Sequence, residues 1–300
     1  MTVATEGSVP LTVPGVDYEC STAYKIVGDI KKATPLVFIH GGPGAGHDDH
    51  FHVGEPLEAA GIPTIWYEQL GCGDSTRILE KAGDETFWTW DVYCTQLDSL
   101  IDALNLRAGF YLLGHSCGGI IASEYAGRRP TGLKKVIISN SYSGGPESAA
   151  ELERLFKALP VSDEVIELED AGNFEHPAYV EADKRYSKKY FCTLDPLPPM
   201  LVHGKWLDAT PVFRKNSYSA MRKPAPMKDW DAKKSAARIN VPTLLISGRS
   251  DSNNDVIVGR WFNLIPHVKW IEMAQTAHFP ALEEPARYVR AVIAFLNDGA

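Results

Sequence analysis

The chain has 300 residues, 44% of them hydrophobic and 23% charged, with a formal net charge of −8. An acidic balance without a basic run argues against a nucleic-acid surface, and no apolar stretch nears the ~20 residues of a membrane span. Cys20, Cys72, Cys94, Cys117 and Cys192 fall in no metal-binding spacing, and MTVATEGSVPLTVPG lacks the basic start and apolar centre of a secretory signal. Reduced thiols and a cytoplasmic location are the expectation.

In chain order, residues 1–20 read as a polar lead-in and Tyr24–Val27 as an edge strand. Leu36–Ile39 is an apolar run that predicts a buried strand, and it ends in the glycine-dense loop His40-Gly-Gly-Pro-Gly44. Glu55–Ala60 predicts a helix. Ile62–Trp66 predicts a strand that leads into a second glycine loop, Tyr67-Glu-Gln-Leu-Gly-Cys-Gly-Asp-Ser75. Phe87 to Leu104 has helical spacing at Val92, Leu97, Leu100, Ile101 and Leu104, with Trp88 and Trp90 read as packing residues.

Phe110-Tyr-Leu-Leu predicts a strand, Gly114-His-Ser-Cys-Gly118 a sharp turn, and Gly119 to Ala126 a small-residue helix. Strand, Gly-x-Ser-x-Gly turn and helix together make a nucleophile elbow, with Ser116 at its apex and a helix N-terminus beneath it. Lys135–Ser139 is a further buried strand. From about residue 144 to 230 the alternation stops, and amphipathic pieces such as Ala149–Leu159 predict a mainly helical insertion over the sheet edge. Alternation then resumes with strands at Val241–Ser247 and Val268–Met273 and helices at Val256–Leu264 and Pro285–Leu296. The pattern is α/β. It divides into a core from 1 to 143, a helical cap from 144 to 230 and the rest of the core from 231 to 300.

A serine hydroxyl needs a base, and the base needs an orienting acid. Asp251, in the loop after one buried strand, and His278, in the loop after the last strand, follow in the order Ser, Asp, His. Asp255 is the rival acid. His115 adjoins Ser116, but neighbours in a tight elbow point apart. The oxyanion donors expected are the N–H groups of Gly42 and Cys117, with Gly41 as the alternative to Gly42. The Cys117 thiol is read as a packing group rather than a nucleophile. Nothing in the sequence requires a metal or cofactor, and a chain this long can be stable alone.

With these motifs in place, the chain resembles the proline iminopeptidase branch of the α/β hydrolases. The resemblance rests on the two glycine loops, the elbow, Lys228-Asp-Trp-Asp231, Gly248-Arg-Ser-Asp251 and Ala277-His-Phe-Pro280. It implies an α/β-hydrolase fold: a mostly parallel eight-stranded sheet, helices on both faces and a helical cap between strands six and seven. It also implies a metal-free serine hydrolase that releases an N-terminal residue such as proline.

The chain departs from that branch where relatives hold the substrate amine with cap glutamates. Met221-Arg-Lys-Pro-Ala-Pro-Met227 has cations and no glutamate, and Glu68 and Leu70 alter the second loop. A cationic rim suits a neutral or anionic substrate better than an ammonium group. Gly41, Glu68, Asp195, Trp206 and Tyr218 are the candidate substrate contacts. The expected partner is a small molecule or short peptide. An esterase, lactonase or acyl-transfer enzyme on the same fold is the alternative, and a non-catalytic binding protein, a class that often loses a triad member, is the third.

Overall fold

The computed structural model describes residues 4–42, 46–82, 84, 86–158, 162–171, 173, 175–202, 227 and 229–298. Eight strands form one sheet: β1 (Thr5–Leu11), β2 (Cys20–Val27), β3 (Leu36–Ile39), β4 (Thr64–Tyr67), β5 (Phe110–His115), β6 (Leu133–Ser139), β7 (Thr243–Gly248) and β8 (Val268–Met273). Their spatial order is β1-β2-β4-β3-β5-β6-β7-β8. β2 pairs antiparallel with both β1 and β4; all other pairs are parallel. Strands β3, β4 and β7 are buried along their whole length, as parallel strands covered on both faces must be.

Alternation along each strand sends side chains to two cores. Val37, Ile39, Phe110 and Leu112 face one apolar cluster, while Leu36, Phe38 and Leu113 face the other. Helices α2 (Trp90–Ala103), α3 (Cys117–Gly127) and α8 (Asp255–Leu264) cover the first, through residues such as Leu97, Ile121 and Trp261. Helices α1 (Gly54–Ala59) and α10 (Pro285–Asn297) cover the second, through Leu57, Val292 and Phe295. Trp88 and Trp90 lie in the first cluster, as their packing reading requires.

The N-terminal residues are not a lead-in. Thr5–Leu11 is the edge strand, and the strand expected at the edge is the second one, lengthened to Cys20–Val27. Gly7, Ser8 and Pro10 weaken the β signal, and only Val9 and Leu11 turn inward. Pairing with β2 fixes the strand, and Pro10 is tolerated because an edge strand leaves N–H positions unpaired.

Between β6 and β7 the described residues contribute helices α4 (Gly145–Lys157), α5 (Ser162–Asp170), α6 (Pro177–Tyr186), a π-helical turn at Ser187–Phe191 and α7 (Pro199–Val202). Leu155, Val165, Tyr179, Ala182 and Tyr190 form a small apolar cluster of their own. At the neck, Gly144 bridges to Asp231. Arg260 donates to the Ser143 carbonyl at 2.7 Å and to Asp231 at 2.6 Å. That pairing holds Asp231 below its ordinary range although burial alone would raise it. Helix α9 (Pro280–Glu283) and α10 follow β8.

Candidate active site

β5 runs into Ser116, whose φ of 53° and ψ of −122° lie outside the regions favoured by side chains with a Cβ. Such a residue costs about 1–3 kcal/mol and persists only where its surroundings impose it. Here they do. A Cβ on Gly118 would lie 2.1 Å from the Ile39 carbonyl oxygen, and one on Gly114 2.2 Å from the Gly118 oxygen. The Ser116 N–H donates to Ser139 at 2.9 Å, and its carbonyl accepts from Gly119 at 3.0 Å. α3 begins at Cys117, so the serine stands on a helix N-terminus, where negative charge is stabilised.

Two other loops at the same end of the sheet bring Asp251 and His278 together. Nδ1 of His278 lies 3.0 Å from both carboxylate oxygens of Asp251. A carboxylate only accepts, so the imidazole proton is assigned to Nδ1, which leaves Nε2 as a base. Asp251 is fixed in turn by the Asn140 side chain at 2.8 Å and the Asn253 N–H at 3.0 Å. Asn140, at φ 52°, also donates to the Ala277 carbonyl at 3.1 Å. It thereby joins the end of β6 to both loops. Asp255 instead stands at the start of α8, where its side chain accepts from the Val256 N–H. Asn140 was not singled out from sequence; its signal was a polar pair, Ser139-Asn140, closing an apolar strand.

The loop after β3 abuts the elbow: a Cβ on Gly41 would lie 3.0 Å from Cβ of Ser116. His40 is fully buried, and its Nε2 accepts the Gln69 N–H at 3.0 Å. Its Nδ1 therefore donates, and it does so to the Gly41 carbonyl at 2.7 Å. Burial pushes this imidazole below its usual pKa despite nearby Glu68, which agrees with a neutral ring. In a planar trans peptide the C=O and N–H point opposite ways. Pinning the Gly41 carbonyl thus aims the Gly42 N–H away from His40. Gln69 braces the same unit by donating to the His40 carbonyl at 2.7 Å.

Residues 34–285 match the alpha/beta hydrolase fold family. A proline iminopeptidase of Levilactobacillus brevis is 30% identical over 89% of this chain and 90% of its own length. The chain belongs to the proline iminopeptidase family of the α/β hydrolases. Among solved structures, VinJ superposes with a TM-score of 0.88 at 27% identity, covering 98% of this chain and 99% of VinJ. Proline iminopeptidase from Mycobacterium smegmatis superposes with a TM-score of 0.85 at 24% identity over 97% and 98%, a likeness of fold.

The acidic residues expected at the substrate side of this proline iminopeptidase relative are otherwise engaged. Glu68 is buried, with its Oε1 2.5 Å from Nδ1 of His47 and its Oε2 3.8 Å from Nε2 of His40. Asp195 is exposed and paired with Lys188 at 2.9 Å. Trp206 and Tyr218, and all of 221–226 in the departing stretch, lie outside the described residues. No disulfide joins the five cysteines, all of them buried, and burial raises the Cys192 thiol to about 11. Among the described residues no helix is long and apolar enough to cross a membrane.

His115 turns beneath the elbow into a group that sequence reasoning missed. Its ring centroid lies 4.3 Å from that of His50 and 4.9 Å from that of His278. Burial, then His50 and His278, hold its pKa well below the usual value. The Asp49 carboxylate accepts from Nδ1 of His50 at 2.9 Å. Asp49, His50 and His115 offer ligand-type atoms within 4.8 Å of one another. A tetrahedral ion with bonds of about 2.0–2.1 Å draws its donors to roughly 3.3 Å apart. The 43° tilt and close centroids of His50 and His115 instead set the rings against each other.

Proposed function

We propose that the chain is a serine hydrolase that cleaves a small amide, short peptide or ester through an acyl-enzyme, as a proline iminopeptidase-like enzyme releasing an N-terminal residue. The observation that carries this reading is the strained Ser116 on a helix N-terminus, with the Asp251–His278 pair in the neighbouring loops. In this reading, Nε2 of His278 takes the Ser116 proton as Oγ attacks the carbonyl carbon. Asp251 holds the imidazole in the Nδ1–H form and stabilises the imidazolium. The N–H groups of Gly42 and Cys117 receive the oxyanion, and the His40–Gly41 hydrogen bond supports Gly42 over Gly41. The imidazolium then protonates the leaving group, and water, activated by the same base, releases the acyl chain.

Residues 144–230 serve as the cap that admits small substrates and excludes folded proteins. The neck at Gly144, Asp231 and Arg260 supports that division.

A second reading, an esterase, lactonase or acyl-transfer enzyme, draws support from one feature. Among the described residues, neither expected acidic anchor offers an unengaged carboxylate to a substrate amine: Glu68 faces His47, and Asp195 faces Lys188. Steady-state hydrolysis of Pro-, Ala- and Leu-β-naphthylamide beside p-nitrophenyl acetate and butyrate separates the readings. Serine-dependent cleavage of the prolyl amide supports the aminopeptidase; ester turnover without amide turnover supports the second. Activity that survives Ser116→Ala sinks both.

A further inference from the structure

We infer that Glu283 is a positioning residue that sets His278 in place and ties it to the helical segment between β6 and β7. The inference rests on the serine-hydrolase reading above and extends it. Three consecutive N–H groups in the loop after β8 find no partner within that loop. Those of Ala277 and Phe279 donate to Glu283, at 3.0 and 3.1 Å to its Oε2. The one between them, His278's own, donates to the Phe191 carbonyl at 3.0 Å. The other Glu283 oxygen, Oε1, accepts the Thr193 N–H at 2.7 Å and the Thr193 hydroxyl at 2.6 Å.

The same segment reaches the imidazole directly. The Phe191 ring stacks on that of His278, with centroids 5.6 Å apart and an 18° interplanar angle. A stretch of residues 191–193 thus meets His278 through its ring, its N–H and, by way of Glu283, the peptides on either side. Asp251 and Asn140 orient the imidazole from the core side; Glu283 and Phe191 orient its backbone from the other. A carboxylate suits this place because its hydrogen bonds to N–H groups are charge-assisted and its two oxygens can serve two directions at once. Displacing residues 191–193 would move the general base, so a cap motion that leaves the site competent must spare this stretch. The Thr193 side of the carboxylate is exposed, and the loop side carries the larger share of the restraint.

Glu283→Gln keeps the shape but turns an NH₂ group toward N–H donors on one side or the other. The test is the second-order rate of Ser116 labelling by a fluorophosphonate, measured against pH, with the far-downfield Nδ1–H proton resonance of His278 recorded on the same samples. Expected for folded Glu283→Gln is labelling slowed about 10- to 100-fold, as a base displaced by a fraction of an ångström implies. The labelling profile should move to lower pH, and the resonance should shift or broaden. Thr193→Val, which leaves the loop bonds intact, should slow labelling about 2- to 3-fold. It keeps the inference testable if Glu283→Gln does not fold. Wild-type rates, pH profile and resonance in a folded Glu283→Gln would overturn the inference. If wild-type Ser116 does not react at all, the serine-hydrolase reading fails instead, and the resonance still reports whether Glu283 positions His278.

Discussion

The crest of the sheet and the helices that follow β6 hold their residues in place by different means. At the crest, backbone fixes backbone: Gly118 faces the Ile39 carbonyl, Gly114 faces Gly118, and the Ser116 N–H is tied to Ser139. Beneath it lie two large apolar clusters that run the length of the sheet. The helices from Gly145 to Val202 have a cluster built on Leu155, Val165, Tyr179, Ala182 and Tyr190, and meet the sheet at the Arg260 neck and the His278 loop. In the proposed reading, the chemistry that needs sub-ångström placement falls to residues whose sterics leave no freedom. The helices are held by fewer such constraints, apart from residues 191–193, which meet the His278 loop.

The sharpest way to break this contrast is at Gly118. Gly118→Ala forces a methyl group against the Ile39 and His40 carbonyls, so we expect a loss of about 3 kcal/mol or more, or failure to fold. Urea unfolding followed by circular dichroism measures it, and a fully stable Gly118→Ala would refute the steric account of the elbow. Asp251→Asn comes next. The fold should persist, because an amide can still accept from Asn140 or Asn253, but kcat should drop about 10³- to 10⁴-fold as the imidazole loses its orienting carboxylate. Normal turnover with the serine still required would remove Asp251 from the site.

Gln69→Leu probes one step further out. It strips the side-chain brace from the His40 carbonyl while leaving the backbone bond to Nε2, so kcat should fall about 10-fold with KM little changed. An unchanged kcat would mean that the Gly41–Gly42 peptide needs no support from the second glycine loop.

The smallest effect concerns pH. Burial holds His40 and His115 below the ordinary histidine value of 6.5 in the folded chain. The unfolded chain therefore takes up more protons once pH drops below about 6.5, and stability present above that pH is lost as pH falls toward the folded values. Melting temperatures between pH 8 and 5 should decline on the acid side, and His115→Gln should flatten that decline. An identical pH slope in the variant would show that His115 is not a source of it.

Much of this molecule is legible without coordinates. Leu36–Ile39, Phe110–Leu113 and Thr243–Ser247 announce buried strands because parallel strands covered on both faces tolerate only apolar runs. Ser116 stands out because a turn this tight admits only glycine at 114 and 118, so the spacing is written in residue types. Asp251 and His278 stand out as candidates by their places in the loops after β7 and β8, in the chain order Ser, Asp, His. Other features were decided by tertiary structure alone. β1 exists because β2 offers it an edge, not because Thr5–Leu11 favours extension. Asn140 and His50 act through contacts with residues far along the chain, at Asp251 and His115, and polar side chains that act only by such contacts leave no period or motif; Glu283 adds a contact with distant Thr193 to bonds within its own loop. Local sterics and hydrophobic alternation are properties of neighbouring residues, which sequence records. The hydrogen bonds that His278 makes to Asp251 on one side and to Phe191 on the other join segments that only the fold brings together.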